Sequence, residues 1–336
     1  VSLFFIQTDE VIMRQDINDI LSAQVWDIFN KTYDGVRVLD MNLRQLEQIC
    51  RAYGFTKFLT ESKGQAKLAK TEKELGIVTV GVSLAPYSLG NLKSSVSMHT
   101  IDLCINATPS CKQSCVVQYG GNPAYLSGKQ NAMLKRKELL VDDPCLFFAM
   151  YFRYLELKSA YCIKHGLLLS NRGNISSDIR YENVQCSMDN FQTSFSNLVF
   201  HHCARTSMHL DDKDTLVRVM PYDYTKHYDR RQDWHYHKVY SVTDHDASKA
   251  ETAIDNGLPL AVVFDTARGK PLPDVYTVGR FTLPVVDGDE HDYLPAHGRK
   301  PHIVGLRFKH QAKHKKHERE ALLAKHILSG FVKIAG

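Results

Sequence analysis

The feature that most constrains this chain is a series of short, continuous apolar runs, each closed by polar residues. They are Ile77–Leu84, Leu167–Leu169, Leu216–Met220, Lys238–Val242, Leu260–Phe264, Pro284–Val286 and Ile303–Leu306. A strand with one wet face alternates apolar and polar residues, whereas a strand covered on both faces reads as an unbroken run. Seven such runs, spaced widely enough for intervening helices, predict an α/β fold with parallel strands. A partial or complete (β/α) barrel is the expected architecture.

Two helices are expected between the first runs. One covers Ser127 to about Leu140, and the other begins at Pro144 and stops at His165-Gly166, where glycine ends a helix. Upstream, Ile17, Ile20, Leu21, Val25, Ile28 and Phe29 recur at helical spacing, as do Leu43, Leu46, Ile49 and Cys50 behind a cap at Asp40 or Asn42. Residues 1–72 therefore read as a small helical N-terminal appendage, and 73–336 as the barrel-like domain.

Composition removes several classes. A chain of 336 residues with 43% apolar and 24% charged residues can bury a large core and is not a disordered tail. No stretch approaches the roughly 18–20 apolar residues of a membrane span, so no membrane partner is expected. The apolar start Val1–Ile6 lacks a basic flank and meets Asp9 and Glu10 at once, so no signal peptide is expected and the chain reads as cytoplasmic. In such a compartment three cysteines within twelve residues point to metal or redox chemistry rather than bridges.

Those cysteines, Cys104, Cys111 and Cys115, have the spacing C-x6-C-x3-C. Thiolates are soft charged donors for zinc or an iron–sulfur cluster, and three of them leave one coordination position open. The loop follows the first strand of the expected barrel, as the cluster loop does in radical S-adenosylmethionine enzymes. Their C-x3-C-x2-C spacing is absent here, so S-adenosylmethionine is a hypothesis within the cluster reading. Cys145, Cys162 and Cys186 read as small buried residues, and His201-His202-Cys203 as a weaker source of further ligands.

Polar residues follow the strands in order: Arg172 and Asn174 with Asp178, Tyr222–Lys226, Ser241–Asp244, Asp265, Asp287–Asp292, then Arg307 and Lys309. In a parallel barrel these line one rim, the C-terminal ends of the strands. Arg172, Asn174 and Asp178 suit a substrate carboxylate or phosphate. Asp223, Tyr224 and Lys226 offer an acid, a phenol and an amine, with a salt bridge from Asp223 to Lys226 or Arg172 as the structural alternative. Asp287, Asp289, Glu290 and Asp292 can hold a divalent cation with His291 as general base, or simply form a solvated Asp-Gly turn. From Arg299 to Lys325 nine basic residues face two acidic ones. Lys309, Lys313, Lys315, Lys316 and Arg319 suit a nucleic-acid backbone, or else belong to a solvated helix.

With these residues in hand, the chain from about Ile77 onward resembles the phage gene product 88-like family of tailed-phage proteins. The likeness is carried by Val82–Pro86, Cys104–Cys115, Arg172–Ile179, Tyr222–Lys226, Ala261–Phe264, Val286–Asp292, Val304–Arg307 and Ser329–Val332. It implies a phage setting, in the cytoplasm of an infected bacterial host, and a shared site, with no family activity to carry over. The basic segment 310–327 looks inserted against that pattern. Three functions are expected from the whole. The first is a metalloenzyme using the cysteine loop on a small or nucleotide-like substrate. The second is a divalent-metal hydrolase or nuclease with structural zinc, and the third a non-enzymatic nucleic-acid-binding or host-interaction protein.

Overall fold

The computed structural model describes residues 15–61, 66–86, 101–113, 115, 126–188, 191–208, 219–245, 247–308 and 316–335. It is a mixed α/β protein organised on a mostly parallel seven-stranded sheet. In order across the sheet run Tyr222–Thr225, His237–Ser241, Leu260–Phe264, Ile303–Arg307, Phe281–Asp287 and Val275–Val278. Every neighbouring pair is parallel except the last, Phe281–Asp287 with Val275–Val278, and the short strand Val332–Lys333 also pairs with Leu260–Phe264. Among the described residues the ladder keeps two free ends, and no pairing closes it into a barrel.

A second parallel pair, Ile77–Val82 with Leu168–Asn174, lies beside the Tyr222–Thr225 edge. Side chains bridge the two sheets there: Ser170 Oγ donates to Met220 O at 2.9 Å, and Asn174 N donates to the Asp223 carboxylate at 2.7 Å. All six residues of Ile77–Val82 are buried, as the β-branched run predicts. Gly81 lets the pair approach, because a Cβ there would lie 1.8 Å from the Arg172 carbonyl oxygen.

The period of two sorts the main sheet. Leu260, Val262 and Phe264 pack with Ala250, Ala253 and Ile254 of the Ala247–Asp255 helix, while Ala261 and Val304 face Tyr293 and Leu294. The segment between Phe281–Asp287 and Ile303–Arg307 thus returns across one face. The Pro144–Lys164 helix supplies the other core. Asp143 caps it by accepting from Leu146 N at 2.9 Å, Pro144 starts it, and Gly166 at φ 64° follows its end. Its run Leu146–Tyr151 is wholly buried.

The N-terminal expectation changes in part. The helical pattern 17–29 gives a helix only over Ile17–Ser22; Val25–Trp26 forms a strand parallel to Gln185–Cys186. Leu43–Ala52 is a helix, closed at its start by the reciprocal bonds of Asn42 and Gln45. Ile17, Leu21, Ile28, Leu46 and Phe58 share one core with Phe147 and Tyr151. The apolar run at 216–220 lies partly outside the described residues; within them a strand runs over Tyr222–Thr225. There Tyr222 packs edge-on against Tyr293, while Asp223 and Thr225 are held by hydrogen bonds to their side chains, so polar residues satisfy a buried strand. Among the described residues no helix is long and apolar enough to cross a membrane.

Candidate functional site

The cysteine loop begins where Asp102, at the end of a two-residue strand, accepts the Cys104 N–H at 2.7 Å. Thr108 Oγ1 accepts the Cys111 N–H at 3.2 Å and so caps the short helix Pro109–Gln113. Thr108 also bonds Ser110 Oγ at 2.9 Å and Thr243 Oγ1 at 3.0 Å, and Ser110 Oγ donates to Thr243 O. The loop is therefore tied to the chain just beyond the His237–Ser241 strand. Cys115 packs beside Ala85, Met133 and Leu134.

Asp178 and Lys226 come to the same place. The Asp178 carboxylate accepts from Thr225 Oγ1 at 2.8 Å and from the Lys226 backbone N–H at 2.7 Å, while Asp178 N donates to Leu103 O. Lys226 Nζ donates to Ser241 O and, at 2.8 Å, to Ser241 Oγ. Arg230 grips Glu182 with two bonds of 2.7 and 2.8 Å, and its third nitrogen stands 3.7 Å from Asp178. His227 Nδ1 faces two donors, Asn106 Nδ2 at 2.7 Å and Arg180 at 2.6 Å, which makes it the acceptor and puts the ring hydrogen on Nε2. That Nε2 is buried, 3.9 Å from Asp178 and without a hydrogen-bond partner among the described residues.

The electrostatics link these groups. Burial pushes the Cys104 thiol well up, and Asp178, Cys111, Asp102 and Cys115 push it further. Burial also raises Cys111, against the pull of Lys226. Burial lowers the Lys226 ammonium, which Cys111, Asp178, Asp244 and Cys104 oppose. The three thiols, Asp178 and Lys226 thus occupy one electrostatic neighbourhood. Among the described residues no three His, Cys, Asp or Glu side chains stand close enough to share an ion as they are arranged.

The other expected residues form separate groups. Asn174 and Asp223 are buried behind the rim: Asn174 donates to Asp223 through N and Nδ2, and the Tyr236 hydroxyl donates to the same carboxylate. Burial pushes Asp223 up to about 7, although the bonds from Asn174 and the charges of Arg230 and Arg172 pull it down. The expected Asp223 salt bridge to Arg172 or Lys226 does not form. Arg172 instead meets Asp292 at 2.8 Å, where Tyr222 Oη also donates at 3.0 Å, and it lies over the Tyr224 ring. Burial pulls the Arg172 guanidinium down, but Asp292, Tyr222 and Tyr224 together outweigh it and hold the net shift upward. Arg172, Asn174, Asp223 and Tyr224 thus lie inside strands rather than after them.

Asp287 and Asp289 are engaged by Arg307, at 2.8 and 3.5 Å, and Lys67 reaches Asp289 at 3.6 Å. Glu290 is exposed, and the His291 ring stacks on His297. His202 and Cys203 are buried on the Phe195–Met208 helix, His202 against Phe152, while His201 is exposed. Lys309, Lys313 and Lys315 lie outside the described residues. Lys316 opens the Lys316–Leu328 helix, on which Arg319 is exposed.

Sequence reasoning missed Asn106, Arg180, His227 and Arg230. His227 directly follows Lys226 and Arg180 lies two residues after Asp178, a proximity signal that was readable. Asn106 lies within the cysteine loop, but nothing local marks its contact or that of Arg230, whose partners are 121 and 48 residues away.

A family model described as Gene product 88 matches residues 59–325, and the chain belongs to that family. No curated protein and no solved structure gives a significant match.

Proposed function

We propose that this Gene product 88 family member is a metalloenzyme whose centre is held by Cys104, Cys111 and Cys115 and whose substrate is a small or nucleotide-like anion. The observation that supports the reading is that the loop bearing the three cysteines meets Asp178 and Lys226, which come from elements far away in sequence. The donor types suit a soft cation: burial makes the Cys104 and Cys111 thiols resist ionising alone, and a bound cation would remove that penalty. An iron–sulfur cluster would supply electron transfer, and zinc Lewis acidity or scaffolding. S-adenosylmethionine is the further cofactor proposed for the iron–sulfur case.

Around that centre the chain's own residues have distinct work. Lys226, fixed by Ser241, places a cation where an anionic substrate would sit. Asp178 orients the Lys226 backbone and the Thr225 hydroxyl. His227 Nε2 and Arg180 offer N–H groups for substrate oxygens. The barrel-like reading belongs to this proposal too, with Ile77–Val82 and Leu168–Asn174 continuing the wall of the main sheet around the site.

The test is anaerobic purification followed by iron, zinc and acid-labile sulfide assays and an absorption spectrum. Iron with sulfide and a visible band, lost in Cys111→Ala, is the expected result. Zinc alone keeps the thiol site and removes S-adenosylmethionine from the proposal. Protein with neither metal overturns the reading.

A further inference from the structure

Between Phe281–Asp287 and Ile303–Arg307 the chain crosses one face of the main sheet, and histidines gather along that path. His291 and His297 stack with ring centroids 4.6 Å apart and planes 12° from parallel. His302 follows at 6.3 Å from His297, and His237, fully buried, stands at the start of its own strand in the same group. His302 Nδ1–H donates to Lys300 O at 2.8 Å, leaving Nε2 a bare acceptor. His237 Nδ1 accepts from Gln232 Nε2 at 3.3 Å, leaving its Nε2 protonated. His237 Nε2, His297 Nε2 and His302 Nε2 are all buried and lack hydrogen-bond partners among the described residues. A buried imidazole in this condition resists a second ring proton, because no hydrogen-bond partner stands ready at Nε2 to take up the charge.

The same crossover carries Asp292, which is pinned by three contacts. Its carboxylate takes Arg172 and the Tyr222 hydroxyl, and its N–H donates to Thr71 Oγ1 at 3.0 Å. Arg172 is therefore covered by a carboxylate of the chain itself, in the place where an oxyanion ligand would bind it.

We propose that the histidine group makes residues 291–302 an acid-released cover over Arg172: protonation of His237, His297 and His302 expels the segment, withdraws Asp292 and opens the guanidinium to a carboxylate or phosphate ligand. This goes beyond the metal-centre reading and does not depend on it. The surrounding charges are mixed. His237 faces Arg299 and Lys238, and His297 faces Asp287 and Lys67. His291 faces Glu290, Glu74, Asp292 and Lys70. His302 meets the Lys300 carbonyl. Asp287 is already bound to Arg307, so it is a weak counter-ion for His297.

Burial holds His237 at about 3 and His297 at about 4, and it lowers His302. These values lie below the ordinary 6.5, so the neutral rings favour the closed form above that pH. The advantage is lost as pH falls from about 6.5 toward about 4.

Hydrogen exchange on the full chain at about pH 7.5 and about pH 5.5, corrected for intrinsic rates, tests the cover. Protection of residues 291–302 should fall about tenfold or more at the lower pH while Leu260–Phe264 stays protected. The double variant His297→Gln with His302→Gln should keep most of that protection. An unchanged wild-type segment, or an equal loss in the double variant, would overturn the proposal. Should the double variant fail to fold, imidazole titration by NMR on the wild-type chain decides. Ordinary titration near 6.5 with residues 291–302 still protected rules the cover out, and protonation that coincides with loss of protection supports it.

Discussion

Asp178 and Lys226 are joined through the backbone: the Asp178 carboxylate accepts the Lys226 N–H at 2.7 Å, while the lysine side chain turns away to Ser241. The acid thus fixes where the amine starts, and the serine fixes where it ends. Asp178 also holds Thr225, so one carboxylate sets the end of the Tyr222–Thr225 strand.

Asp178→Asn should therefore cost roughly 1.5–3 kcal/mol of stability in urea unfolding, since buried donors lose a charged acceptor. A loss below about 0.5 kcal/mol would place Asp178 outside the set of groups that fix this strand end.

Asp223 gives a pH signature of the opposite sign to that of the histidines. Its folded value of about 7 lies above the ordinary 3.8, so its contribution is full below about pH 3.8 and is lost as pH rises through about 7. Between about pH 5 and about pH 8 it should withdraw roughly 2–3 kcal/mol. Asp223→Asn should flatten that limb in denaturant titrations across the same range. An unchanged slope would show that Asp223 is ionised throughout.

Asp292→Ala should be among the more damaging single changes, costing roughly 3–5 kcal/mol, because it strands the largely buried Arg172 without its counter-charge. Replacing Arg172 by Met together with Asp292→Ala should recover much of the loss. Additive losses in a double-mutant cycle would mean that the pair is not coupled.

Gly81→Ala should weaken the Ile77–Val82 and Leu168–Asn174 pairing, because the added carbon would meet the Arg172 carbonyl, which is backbone and cannot swing aside. A cost of about 3 kcal/mol or more is expected from thermal or chemical unfolding. A near-neutral effect would mean that the two strands can separate freely.

The sequence announced parallel strands where the residues are β-branched: Ile77–Val82, Leu260–Phe264 and Ile303–Arg307 all lie where continuous apolar runs predict them. Tyr222–Thr225 was not visible as a strand, because its burial is sustained by hydrogen bonds to Asp223 and Thr225 that arrive from distant residues. The antiparallel edge Val275–Val278 was also unannounced; its outer residues are exposed and carry no core pattern. At the site, residue type pointed to Cys104, Cys111, Asp178 and Lys226, but only the fold shows that Arg172 and Asp223 serve different neighbours. Pairings across many residues leave no local mark, which is why Asn106 and Arg230 passed unnoticed.

Leu260–Phe264 gives one edge to two strands in turn, His237–Ser241 at Leu260 and Ala261, then Val332–Lys333 at Val263 and Phe264. On the ribosome, residues 77–307 can emerge and begin to pair while half of that edge is still open. The ladder is complete only when residue 333 has cleared the exit tunnel, so this two-residue strand docks after the rest of the sheet has emerged. A ribosome stalled upstream of that point would present a nascent chain with an unprotected strand edge, the very surface that recruits chaperones and other unfinished chains.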